Sequence, residues 1–135
     1  MATIVENVHS RCDDPSLDPS GLLTVRVKHS EGSSNFVECT LSIDPWCGQD
    51  NALYDCYLYI AGEGPDGAFL GSETRNDTVL YSEEKGVLWP VSFSASSYPW
   101  ISQLVSGGKV VVYATFTHHF VPSISCVFPR TEIDV

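Results

Sequence analysis

The sequence predicts an all-β fold, an antiparallel two-sheet β-sandwich of about eight strands, and three observations carry that prediction. Apolar residues recur with period two in run after run, the runs are short and separated by Gly, Pro, Ser and Asp, and a single stretch near 101–106 reads as a helical turn. Strict alternation places one set of side chains on each face of a strand, so each strand has one face for a core and one for solvent. Eight such strands fit an immunoglobulin-like or jelly-roll sandwich better than a helical or parallel architecture.

Leu22 to Lys28 alternates, with Leu23, Val25 and Val27 on one face and Thr24, Arg26 and Lys28 on the other. Phe36 to Ile43 keeps the same rhythm, setting Val37, Cys39, Leu41 and Ile43 against Glu38, Thr40 and Ser42. The polar, glycine-bearing stretch 29–35 between them makes an antiparallel hairpin the simplest connection. Leu53 to Ala61 is a third strand, and Ala68 to Thr74 and Thr78 to Ser82 are two weaker ones. Gly86 to Ala95 gathers Val87, Trp89, Val91 and Phe93 on one face, while Pro90 on the other phase lacks an amide donor and predicts an edge position or a bulge. Ile101 to Ser106 is the helical turn, stopped by Gly107 and Gly108. Lys109 to Val121 is a long strand and Ile124 to Phe128 closes the set. Residues 1–20, with their Asp-Pro steps, read as an extended N-terminal arm leading into a single domain over 21–135. At 135 residues the chain can bury roughly two thirds of its unfolded surface, enough for a real core.

Seventeen acidic and seven basic residues give a formal charge of −10, and the basic ones are scattered. Phosphate backbones need clustered Lys and Arg to displace counterions, so nucleic acid is excluded as a partner and anionic membranes are poor candidates. No run of about 18 apolar residues is present, so membrane insertion is not expected either. The start MATIVENVHS lacks the basic and apolar regions of a secretory signal, which leaves an intracellular protein or an excised extracellular or virion-surface domain.

The cysteines Cys12, Cys39, Cys47, Cys56 and Cys126 contain no C-x-x-C pair, so a zinc ribbon or redox motif is unsupported. Cys39, Cys56 and Cys126 fall on inward phases and read as buried free thiols, with a sheet-to-sheet disulfide among them as the alternative. His118 and His119 are adjacent in a strand and point to opposite faces, so they do not form one metal site. Asp44, Asp50, Glu63 and Asp66 lie in loops around the third strand, but no calcium-loop pattern joins them, and they read as solvated charge. No nucleophile-elbow signature is present, and no catalytic residue, cofactor or metal is assigned. Asn76-Asp77-Thr78 matches an N-glycosylation triplet, relevant in a secreted chain alone. Glu132 to Val135 has the apolar spacing of a peptide that docks by strand addition.

The most informative departure from a bland outer face is aromatic. Tyr57 and Tyr59 share the outward phase of the third strand with Leu53 and Asp55, and Tyr113 and His119 share the outward phase of a later one. Trp46, Tyr98 and Trp100 add aromatics in loops. Such amphipathic rings supply area and a hydrogen bond to recognition surfaces, and their faces stack on sugars. The expectation is a non-catalytic recognition module for a protein or glycan, using Tyr57, Tyr59, Tyr113, His119, Trp46, Tyr98 and Trp100. The alternatives are a structural or attachment domain, as in a viral coat, that forms homo-oligomers, and a small enzyme with a loop-built site.

Overall fold

Period-two alternation becomes two four-stranded antiparallel sheets. The computed structural model describes residues 3–11, 22–30, 35–43, 51–120 and 125–135, with backbone alone for 3–11, 22–24, 30 and 126. The first sheet runs in the order β1 (Thr3–Arg11), β2 (Leu22–Ser30), β3 (Phe36–Ile43), β6 (Val87–Ser94). The second runs β5 (Phe69–Leu80), β4 (Leu53–Glu63), β7 (Lys109–His118), β8 (Ser125–Asp134). Their inward residues make one core: Val25, Val27, Val37, Cys39, Leu41 and Phe93 from the first sheet, and Tyr54, Cys56, Leu58, Ile60, Val112, Phe116 and Phe128 from the second. The β2–β3 hairpin forms as expected, with Val25 opposite Leu41 and Val27 opposite Cys39. Pro90 is exposed and lies on β6, an edge strand, where its missing donor breaks no ladder on the open side.

Several expectations are corrected. Residues 3–11 of the arm form β1, paired along its length with β2, so this part of the arm belongs to the sheet; residues 12–20 lie outside the described residues. The two weak strands are one continuous β5, because Asn76 and Asp77, poor strand formers, sit on an exposed edge where only the β4 side must pair. The helical turn comes earlier, as a 3-10 turn over Pro99–Gln103 that Pro99 initiates with its fixed φ and that ends where Leu104 is extended. Gly107, at φ 92°, serves the following turn into β7 instead. Finally, β8 runs to Asp134, since an irregularity opposite Tyr113 accommodates Pro129 and Arg130. Val135 is buried and its backbone bonds Gly107 and Gly108, so the C-terminal residues are held in the sheet and not offered to a peptide groove.

β7 ends at His118, where the imidazole Nδ1 accepts the Phe120 N–H at 3.1 Å and bends the chain; Val121 and Ile124 lie outside the described residues. Among the described residues no helix is long and apolar enough to cross a membrane.

Candidate recognition surface

Four of the seven residues singled out from the sequence meet on one surface. Alternation along β4 buries Tyr54, Cys56, Leu58 and Ile60 and leaves Asp55, Tyr57 and Tyr59 half-buried on the outer face. β7 does the same, and the antiparallel register sets Tyr59 opposite Tyr113, Tyr57 opposite Thr115, and Asp55 opposite Thr117. On the other flank β5 contributes Thr74, Asn76 and Thr78 opposite Tyr59, Tyr57 and Asp55. The Tyr57 and Tyr113 rings meet edge to face, 6.1 Å between centroids at 67°, so each restrains the other.

At one end of this surface His119 joins Asp55. Its Nδ1 lies 2.9 Å from Asp55 Oδ1 and 3.1 Å from Oδ2, and Thr78 Oγ1 donates to Oδ1 at 2.9 Å. The Asp55 carboxyl is held below its ordinary range, chiefly by the His119 hydrogen bond, which outweighs the opposing effect of burial, with Thr78 and the charge of His119 adding lesser contributions. An open depression lined by Asp55, Cys56, Asn76, Asp77 and Thr78 lies beside the pair. At the other end the next outward pair, Ala61 opposite Val111, is buried, and the Lys109–Glu132 ion pair at 3.2 Å flanks it. The open surface therefore runs from Tyr59–Tyr113 toward Leu53.

The remaining three residues are elsewhere. Trp100 is buried, its indole packed on the inner side of the Gly62–Gly71 cross-strand pair, so it is core and cannot contact a partner. Tyr98 is half-buried at the rim between the sheets, with its ring 5.4 Å from Phe93 and the Arg75 guanidinium 5.2 Å above it, and its hydroxyl takes a hydrogen bond from Arg75. Trp46 lies outside the described residues, as do Asp44, Asp50, Cys12 and Cys47. Sequence reasoning missed the Asp55–His119–Thr78 cluster, because its members are 64 and 23 residues apart and meet only through strand register.

His118 points inward, buried against Tyr54 at 5.4 Å, while His119 is exposed, so the two imidazoles occupy opposite faces. Cys39 and Cys56 are buried free thiols; the side chain of Cys126 lies outside the described residues. Asp66 accepts the Ala68 N–H at 3.1 Å as part of its own turn. Among the described residues no group of three or more His, Cys, Asp or Glu could hold a metal ion. Comparison with protein-family models and with curated proteins finds no match for this chain.

Proposed function

We propose that this protein is a non-catalytic recognition module whose ligand, a glycan or a protein, lies on the outer face of the second sheet. The observation that supports this reading is the contiguous set Tyr57, Tyr59 and Tyr113, half-exposed in the two central strands beside the ordered Asp55–His119 pair. Rings held on a sheet give contact area at low ordering cost, and the neighbouring carboxylate, imidazole and amide supply directional bonds. The test compares the wild-type chain with the Tyr57→Ala/Tyr59→Ala double variant on a glycan array and against candidate protein partners. Loss of ligand at an unchanged melting temperature supports the reading. Unchanged binding in every detected interaction overturns it.

A second reading, a structural or attachment domain that self-assembles, is favoured by the exposed apolar residues Leu80 (60%), Phe120 (74%) and Val127 (43%) around the same face. Light scattering across a concentration series separates the two, because a monomer at every concentration contradicts assembly.

A further inference from the structure

We infer that the ligand of this face is a short, uncharged oligosaccharide lying along β4 over Tyr57 and Tyr59, an assignment that rests on the recognition reading above. The first argument is chemical match. The open surface alternates rings with hydrogen-bonding groups, since Tyr57 has Asn76 and Thr115 as its cross-strand neighbours and Asp55 has Thr78 and Thr117. A pyranose carries the complementary pattern, an apolar C–H face with a rim of hydroxyls.

The second argument is preorganisation. Asp55 Oδ1 is fixed by Thr78 and His119, both at 2.9 Å, so the carboxylate meets a ligand already oriented. With Oδ1 filled by these two partners, Oδ2 keeps a lone pair for a ligand hydroxyl and loses little entropy in accepting it.

Charge and size narrow the class further. In a chain of net charge −10 the described cations of this sheet are engaged: Lys109 with Glu132 at 3.2 Å, Arg130 with Glu132 at 3.7 Å, and Arg75 with Tyr98. A sialylated or sulfated sugar would meet cations already bonded to Glu132 and would be repelled by the Asp55 carboxylate beside the tyrosines. From Asp55 to Tyr59 the strand rises ~14 Å, and β5, β4 and β7 together span ~10 Å between axes. That patch is well below the ~800 Å² per partner of a typical protein interface, and it matches a few sugar units.

The experiment titrates the full chain, isotope-labelled for amide chemical shifts, with cellotetraose, xylotetraose, mannotetraose, tetra-N-acetylchitotetraose and sialyllactose, each to about 10 mM. The expected result is binding of at least one uncharged tetrasaccharide with Kd of ~1 mM or tighter, and shifts clustered on β4, β5 and β7. Affinity should fall about tenfold in Tyr57→Ala and in Asp55→Asn, and stay unchanged in Tyr98→Ala at the rim. Tyr59→Phe, which keeps the ring and the fold, should retain binding. Absence of binding to all four uncharged sugars, a preference for sialyllactose, or affinities indifferent to Tyr57 would each overturn the sugar assignment. A protein ligand lost in Tyr57→Ala, with no sugar bound, overturns this inference and leaves the recognition role standing; no tyrosine-dependent ligand of either class overturns both.

Discussion

Gly62 and Gly71 face each other across β4 and β5, and the Trp100 indole occupies the volume their side chains would take. A Cβ at Gly71 would lie 2.4 Å from Trp100 Cγ, and one at Gly62 2.6 Å from Trp100 Cζ3. Gly71→Ala should therefore destabilise the fold by ~1–3 kcal/mol through overpacking, and Trp100→Ala by ~3–5 kcal/mol through the cavity it leaves. Urea denaturation of both single variants and the double should be non-additive, because removing the indole makes room for the new methyl. At Asp55 the prediction concerns pH. Its carboxyl is held below the unfolded value of ~3.9, so the stabilisation is complete above ~4 and is lost as pH falls through the folded value. The pair is largely exposed, so the effect is under ~1 kcal/mol. The urea midpoints of wild type and Asp55→Asn should differ near neutrality and converge as the solution is acidified below the unfolded value and through the folded one. Burial, with a lesser contribution from Glu38, pushes the Cys39 thiol up to about 12, and burial does the same in direction for Cys56. Peptide mapping after treatment with a thiol reagent at pH ~8 should find both unmodified in the native protein and both modified in urea; rapid native labelling of either would contradict their burial.

Each strand whose alternation is clean was legible in the sequence, and each one that was not had a physical reason to hide. β2, β3, β4, β6 and β7 each turn one face to the core, and among the described side chains the expected core residues are buried. β5 and β8 are edge strands that tolerate Asn76, Asp77, Pro129 and Arg130, the residues that interrupt the pattern. The tyrosines of the candidate face followed from phase alone, but burial of Trp100 depended on a glycine pair 9 residues apart in sequence, and the Asp55 cluster depended on register. Two tertiary contacts tie elements together. The Arg75 guanidinium of β5 lies 4.9 Å over Phe93 of β6 and 5.2 Å over Tyr98, closing the rim between the sheets. Arg75→Ala should cost ~1–2 kcal/mol, with Arg75→Lys recovering only part because the planar fork is lost; chemical denaturation of the pair decides it. In β2, His29 Nε2 lies 3.1 Å from both Asn35 Oδ1 and the Leu104 carbonyl, which also accepts from Asn35 Nδ2 at 3.2 Å. This buried network anchors the end of the 3-10 turn to the first sheet, and Asn35→Ala should cost ~1–3 kcal/mol by leaving its partners underbonded.

For the whole molecule, two sheets and one core make a rigid platform, and the recognition account places its ligand on one side of that platform only. The face rests on the central strands of its sheet, where positional precision is greatest. The most direct measurement is amide hydrogen exchange of the full chain with and without its bound ligand, read strand by strand. The account predicts slower exchange and shifted amides concentrated on β4 and β7, with the flanking residues of β5, and no change along β2 and β3. Protection centred on the outer face of the first sheet, or at the rim around Tyr98, would contradict it.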